Sequence, residues 1–280
     1  MPIAHDLALV ALGSGSRGNA TWIGDDQRGV LVDCGVSTKQ ILGRLDAVGI
    51  DAPPIDAVLI THEHTDHVAS IGVLDRALQR RRGQPVPFYL TEATYLRLPE
   101  KLRPSRPVFV SPGRPVPLGD WKLEPHAVPH DVPDPVCWVV DAGRARAGVI
   151  TDLGHAPRLI STVLSTLDLA VVEFNHHLGM LMDGPYPWPL KQRIRGRHGH
   201  LSNDQAADLV AAGAGPRLRH LVLGHLSEEN NHPDHAATAA QAALRRASRR
   251  GVSVHVAAQR VPTPVIGASG PAPAQPSLFG

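Results

Sequence analysis

The heptapeptide THEHTDH at residues 61–67 constrains this 280-residue chain more than any other stretch, because it sets three imidazoles and two carboxylates within seven positions. The apolar run DAVLI (56–60) delivers it, and the helix-like VASIGVLDRAL (68–78) follows at once. Whatever the fold, a buried strand must end there, turn and enter a helix. On extended backbone His62, His64 and Asp66 share a face, and a bend after them turns Asp66 and His67 toward a second position nearby. That is ligand spacing for two cations rather than one. Paired metals about 3.5–4 Å apart can clamp the attacking and leaving oxygens of a displacement and generate hydroxide at neutral pH. A solvated loop with chance histidines would not be expected to set every ligand type at HxHxDH spacing behind a buried strand.

The rest of the chain supplies the layers such a turn needs. Short apolar runs bounded by Gly, Asp and Pro recur through the first 150 residues: LALVAL, TWIG, GVLVDCG, DAVLITH, VPFYLT, PVFV, WKLEPHAV, CWVVDAG and AGVITD. They read as buried or half-buried strands. Helix-like segments stand between and after them, namely TKQILGRLDAVG, VASIGVLDRALQRR, HAPRLISTVLSTL, NDQAADLVAAG and HAATAAQAALRRASRR. The pattern predicts a mixed, layered α/β architecture in one domain over residues 1–260. From about residue 261 the sequence VPTPVIGASGPAPAQPSLFG is too rich in Pro, Ala, Gly and Ser to build a core, and residues 261–280 are expected to form a disordered tail.

A formal net charge of +2 excludes a blanket polycation, so any nucleic-acid contact must come from a local patch. Cys34 and Cys137 are too few to staple the fold and sit in no CxxC pair, which predicts packing roles and a reducing compartment. The N-terminus lacks a basic leader, and no stretch nears the roughly 18 apolar residues of a membrane span. A cytoplasmic protein without a membrane partner is expected.

The HxHxDH turn resembles that of the metallo-β-lactamase-fold hydrolases, and the likeness runs from about residue 7 to residue 258. It implies a four-layer αββα sandwich with two divalent ions at one edge of the sheets. It also implies further ligands: His130 in HAVPHDVPDPV beside His62 and His64, Asp152 in GVITDLG as the bridging carboxylate, and His225 in LVLGHLSEEN with Asp66 and His67. Asp33 in VLVDCG resembles the family's buried aspartate that supports the ligand loop. His126 competes with His130 but lies within a strand-like run, where a packed histidine is the simpler reading. His176 or His177, after VVEFN, is a further candidate to line the pocket.

This fold hosts many chemistries, so the surrounding sequence must discriminate among them. The redox branch characteristically carries glutamate where His64 stands, and nucleases with a large inserted cap need more chain between Asp152 and His225. LGSGSRGN (12–19), NHHLGMLMDGPYPWPLKQRI (175–194) followed by GHLSN, and GHLSEENN (224–231) together resemble the WalJ/YycJ-type branch. That resemblance implies 5′-to-3′ exonuclease action on DNA, acting in DNA repair, with a metal-activated hydroxide attacking phosphorus. Mn²⁺ suits the branch, whereas the histidine count suits Zn²⁺. A tRNA 3′-processing-like endoribonuclease and a small-molecule hydrolase of the glyoxalase-II or lactonase kind are the alternatives.

The residues themselves suit a phosphodiester. Ser14, Ser16 and Asn19 lie in a glycine-rich loop whose amides could approach an anion. Lys191, Arg193, Arg195 and Arg197 alternate in KQRIRGRH and could follow a phosphate backbone, and Tyr186 and Trp188 could stack a base. His200 in GHLSN resembles the proton-donating histidine of tRNA-processing members, with Glu173 in LAVVEF as the carboxylate that would orient it. Finally, Gln275, Leu278 and Phe279 in the terminal AQPSLFG resemble the peptides by which DNA-processing enzymes dock on the replication sliding clamp.

Overall fold

The computed structural model describes residues 6–50 and 55–268. In chain order the strands are β1 (Ala8–Gly13), β2 (Ala20–Gly24), β3 (Gly29–Val32), β4 (Ala57–Leu59), β5 (Phe88–Thr91), β6 (Pro107–Val110), β7 (Val116–Leu118), β8 (Trp121–Ala127), β9 (Val136–Asp141), β10 (Arg146–Ile150), β11 (Leu169–Glu173), β12 (His220–Gly224), β13 (Ser253–Val256) and β14 (Ile266–Gly267). The helices are α1 (Thr38–Ala47), α2 (Thr65–Val68), α3 (Ile71–Arg82), α4 (Glu92–Arg97), α5 (Arg158–Leu164), α6 (Leu178–Asp183), α7 (Trp188–Ile194), α8 (Asn203–Gly213) and α9 (Pro233–Arg246). One sheet runs β14-β1-β2-β3-β4-β5-β6 and the other β13-β12-β11-β10-β9-β8-β7.

Each sheet is antiparallel in one half and parallel in the other. Strands β3 to β6 are parallel neighbours, as are β10 to β13. Parallel neighbours need crossovers, and the helices supply them on the outer faces. Alternation along β1 shows the layering directly. Leu9 and Ala11 point into the core between the sheets, while Ala8, Val10 and Leu12 pack with Ile41 and Leu45 of α1 and with Leu74 and Leu78 of α3. On the other sheet, Val171 and Val222 face the inter-sheet core, while Ala170, Leu221 and Leu223 meet α5, α8 and α9. Both faces of these strands are buried, which is why they read as unbroken apolar runs. The four-layer αββα arrangement expected from the sequence is what the chain adopts.

Two cross-sheet bonds lie beside the HxHxDH turn. The indole Nε1 of Trp138 in β9 donates to the Ile60 carbonyl at 3.0 Å, and the Val136 amide donates to the Thr61 carbonyl at 3.0 Å. They fix the chain just before the first histidine to the opposite sheet. Cys34 and Cys137 are both buried and unpaired, and burial pushes the Cys137 thiol up to about 12. No helix among the described residues is long and apolar enough to cross a membrane.

Two expectations need correction. The basic tract is not extended: Pro187 and Pro189 open α7, because proline is tolerated in a helix's first turn and presets its φ. The chain also stays in the core beyond residue 260. Thr263 is buried and exchanges hydrogen bonds with Ala11, its Oγ1 accepting from the Ala11 amide at 3.0 Å and its amide donating to the Ala11 carbonyl at 3.0 Å. Ile266 and Gly267 then pair with Leu9 and Ala8, and Ile266 is 3% exposed. Composition hides this because a two-residue strand gains its stability from the sheet it joins. Gln275, Leu278 and Phe279 lie outside the described residues.

Truncation after residue 260 therefore removes an edge strand from β1, and should cost roughly 3 kcal/mol or more through lost apolar burial and bared amides. Urea unfolding of the truncated and full-length chains, compared at equal metal content, reads this directly. Equal midpoints would refute it.

Candidate metal centre

The site lies where the C-terminal ends of the parallel strands of both sheets meet, the place open α/β sheets reserve for ligands. Asp33 follows β3, His62 to His67 follow β4, Asp152 follows β10, Glu173 ends β11 and His225 follows β12. His130 arrives from the loop after β8. The motif itself sits in an irregular turn after β4, and the short helix α2 then swings Asp66 and His67 away from His62 and His64. This turn packs backbone to backbone against the Asp33 loop. A Cβ on Gly35 would lie 1.6 Å from the Asp66 carbonyl, so only glycine lets α2 seat.

Three imidazole nitrogens meet at one point: His64 Nδ1 is 3.1 Å from His62 Nε2 and 3.3 Å from His130 Nε2. A second group forms beside it, with Asp66 Oδ2 3.4 Å from Nε2 of both His67 and His225. Asp152 lies between the groups, Oδ2 being 3.3 Å from His67 Nε2, while Oδ1 is 3.6 Å from His225 Nε2 and 3.9 Å from His130 Nε2. His126 is absent from this gathering; it stays in β8, its Nε2 3.5 Å from Glu124.

The far nitrogen of four of the five rings, His62, His67, His130 and His225, is tied down, which fixes its orientation. His67 Nδ1 donates to Asp33 Oδ2 at 2.7 Å. His62 Nδ1 donates to the Thr61 hydroxyl at 2.9 Å, and that hydroxyl donates onward to Asp33 Oδ2 at 2.9 Å. His130 Nδ1 donates to the Gly199 carbonyl at 3.1 Å, and His225 Nδ1 to Glu173 Oε1 at 3.1 Å. Each bond aims Nε2 at the centre. Glu173, fully buried, also accepts from His200 Nδ1 at 2.8 Å and from the amides of Leu153 and Leu201, both at 3.1 Å.

The residues present fit divalent cations. Asp152 Oδ2 is buried without any hydrogen-bond partner, a costly state for a carboxylate oxygen unless a cation faces it. Charge balance points the same way. Burial disfavours charge throughout, yet His67 and His225 are held protonated, His225 up to about 10, chiefly by Asp152 and Asp66. Protons stand where the carboxylates call for positive charge. Backbone strain is concentrated here as well: Asp33, Asp152 and His225 have φ of 60°, 63° and 54°. Left-handed φ at non-glycine residues costs about 1–3 kcal/mol each and persists where surrounding contacts compel it.

Several sequence-based roles change. Ser14 and Asn19 are not open to an anion. Ser14 Oγ accepts the His225 amide at 2.7 Å, and Asn19 Nδ2 donates to Asp66 Oδ2 at 3.2 Å while lying 3.1 Å from His67 Nε2. The amides of Ser14, Gly15, Arg17, Gly18 and Asn19 are all donated to protein acceptors. Ser16 remains exposed. Lys191 is buried, its Nζ on the Met182 carbonyl at 2.7 Å, so it is withdrawn from any substrate. Arg193 is exposed and ion-paired to Asp131 at 2.7 Å, and Asp131 lies 3.4 Å from His130 Nε2 and 3.6 Å from His64 Nε2. Arg195 stacks over Trp188, an exposed ring, while Tyr186 is half-buried and Arg197 exposed. His177 caps α6 and stacks on His235, and His176 is buried; neither joins the candidate ligand groups.

Thr61 and Asn175 went unnoticed in the sequence. Thr61 links two histidines to Asp33, and Asn175 Nδ2 donates to the His225 carbonyl at 3.0 Å. Thr61 heads the motif and could have been suspected for that reason. Replacing Asp33 by Asn should release the His67 tautomer and weaken metal affinity about 10- to 100-fold. Chelator competition on the purified variant measures this, and wild-type affinity would exclude the orienting role.

The β-lactamase superfamily domain model matches residues 28–226. Exodeoxyribonuclease YycJ of Bacillus anthracis is 32% identical over 228 residues, spanning 80% of this chain and 84% of the relative. Exodeoxyribonuclease WalJ of Streptococcus pneumoniae is 33% identical over 225 residues, spanning 79% and 81%. The solved metallo-β-lactamase-fold protein YhfI from Bacillus subtilis shares the fold with a TM-score of 0.68 at 18% identity, covering 92% of this chain and 98% of that one. Sequence, fold and the gathered histidines and carboxylates agree: the chain belongs to the β-lactamase superfamily of hydrolases, in the branch of YycJ and WalJ.

Proposed function

We propose that this protein is a metal-dependent phosphodiesterase, a DNA exonuclease that works in the 5′-to-3′ direction in DNA repair, with two divalent ions, Mn²⁺ or Zn²⁺, in its centre. His62, His64 and His130 would hold one ion and Asp66, His67 and His225 the other, with Asp152 shared between them. Such ions supply charge neutralisation at phosphorus and a nucleophilic hydroxide at neutral pH. The names of the relatives YycJ and WalJ support DNA as the substrate.

The observation that carries the reading is the Glu173–His200 pair. His200 sits at the rim of the centre, its ring 5.2 Å from those of both His130 and His225, and its side chain is 21% exposed. Glu173 fixes Nδ1 and leaves Nε2 to face outward. Burial alone would raise the Glu173 pKa, but His200 and the hydrogen bonds of His200 and His225 bring it down to about 2, so it stays ionised at neutral pH. With Nδ1 held by this carboxylate, Nε2 is the nitrogen that would hand a proton to the departing 3′-oxygen. Exposed Trp188, with Arg195 stacked on it, provides a face for a base, and Arg193 adds charge at the rim.

His200→Ala should lower kcat on DNA by about 10²- to 10⁴-fold and leave metal content unchanged. On a nitrophenyl ester of thymidine 5′-phosphate, whose leaving group needs no proton, the loss should shrink below tenfold. Equal losses on both substrates would rule out proton delivery. Thioester turnover by a wild-type enzyme that leaves end-labelled DNA intact would overturn the function as a whole.

The clamp-docking role of Gln275, Leu278 and Phe279 belongs to the same proposal, since a tether that ends in a polar anchor and an apolar pair raises local enzyme concentration at DNA. The full chain should retain the sliding clamp in a pull-down, and a chain lacking the last six residues should not. Equal recovery would remove the idea.

A further inference from the structure

Beside the metal centre a cavity of about 300 Å³ opens between the β1–β2 loop, the start of α1 and the segment after β13, lined by Arg17, Val36, Gln40, Arg44, Gln259 and Arg260. Half of this lining is arginine. Arg44 spends Nη1 on the carbonyls of Leu12 and Gln259 at 2.5 and 3.5 Å, and its other nitrogens make no hydrogen bond among the described residues. Glu228 stands between the other two guanidiniums, Oε2 being 2.9 Å from Arg17 Nε and Oε1 4.0 Å from Arg260 Nε. Two of the three cations therefore share one carboxylate, which is partly exposed and occupies the place an incoming anion would take, while Arg44 has no carboxylate partner among the described residues. Exposed ion pairs of this kind contribute little to stability and exchange readily.

The pocket shares its walls with the metal centre. Arg17 precedes by two residues Asn19, whose Nδ2 is bonded to Asp66 Oδ2 at 3.2 Å. Glu228 follows His225 by three residues, and the Ala258 carbonyl accepts the amide of Ser14, whose hydroxyl holds the His225 amide. Two residues of chain span at most about 7 Å, so the Arg17 backbone stands within about one or two nucleotide spacings of Asn19 and of the Asp66 carboxylate that Asn19 holds. Guanidinium forks match phosphate oxygens two at a time, and contacts of this kind set register without reading sequence.

We propose that the Arg17–Arg44–Arg260 pocket is a phosphate subsite for the DNA strand, separate from the metal centre, in which substrate phosphate displaces Glu228. The inference rests on the nuclease reading above. The shared chemistry is a phosphate held by arginines, and its source is either the terminal 5′-phosphate or an internal phosphodiester.

The test compares wild type, the Arg17→Ala/Arg260→Ala double variant and Glu228→Gln on otherwise identical oligonucleotides with a 5′-phosphate or a 5′-hydroxyl. The two arginine side chains are largely solvent-exposed and Glu228 partly so, so folding should survive. The double variant should raise KM about tenfold with kcat held, and should flatten the dependence of log KM on log salt by about one to two. Glu228→Gln should lower KM severalfold, a gain that a merely structural residue would not give. An effect confined to 5′-phosphorylated DNA identifies the terminal phosphate, and an effect on both substrates identifies an internal one. If neither variant moves KM by more than about twofold on either substrate, the pocket is not a phosphate subsite. Fluorescence anisotropy of the same oligonucleotides in EDTA reads binding without turnover. Should wild type cleave no DNA yet bind it, with weaker binding by the double variant, the nuclease reading falls and the subsite stands. Equal binding by both proteins overturns the subsite.

Discussion

The centre depends on a carboxylate that never meets solvent. Glu173, at the end of β11, accepts hydrogen bonds from two imidazoles and two backbone amides, which keeps it ionised within the protein. Burying a charge is tolerable only when every lone pair is used, and here each one is. The same oxygen that orients His225 inward orients His200 outward. One side chain thus sets the geometry of a candidate ligand and of the proposed proton donor, and neither could shift without the other.

Asp33 repeats the arrangement on the opposite sheet. It gathers Thr61 and His67 directly and His62 through the Thr61 hydroxyl, so the histidines of the motif inherit their orientation from a residue nearly thirty positions earlier in the chain. Both carboxylates lie at the C-terminal ends of parallel strands. At those ends the sheet no longer uses the backbone's hydrogen-bonding capacity, and side chains must take over. Left-handed φ at Asp33, Asp152 and His225 marks how sharply the chain must turn to bring side chains from both sheets to one volume.

What was legible in the sequence follows from how local each feature is. HxHxDH speaks for itself because six consecutive residues carry it. The αββα layers showed as strands buried on both faces and as amphipathic helices, and α8 began and ended at the expected residues. His130, Asp152 and His225 entered only through family resemblance, since nothing in composition links residues so far apart. Ser14 and Asn19 were misread because a glycine-rich loop looks the same whether its amides are free or spent, and here tertiary partners take them. Lys191 was misread as a surface cation because its charge shows in the sequence while the Met182 carbonyl that captures it does not. Residues 261–268 do not read as part of the core for a related reason: β14 is a strand only because β1 offers it an edge.

These placements make stability and metal binding one problem. The candidate ligands hang from β4, β8, β10 and β12 and so belong to both sheets, and direct ties at this edge include the Trp138–Ile60, Val136–Thr61 and Ser14–His225 bonds. Without a cation, protons held on His67 and His225 offset the charge of Asp66 and Asp152 but leave Asp152 Oδ2 without a hydrogen-bond partner. Divalent ions held by these residues only in the folded arrangement would replace those protons and join the sheets across the seam, so their binding free energy would also be folding free energy. Imidazoles approaching nitrogen to nitrogen, and a buried carboxylate oxygen with no partner, cost stability in the chain by itself. With cations present the same contacts would instead favour closure of the two sheets at this edge.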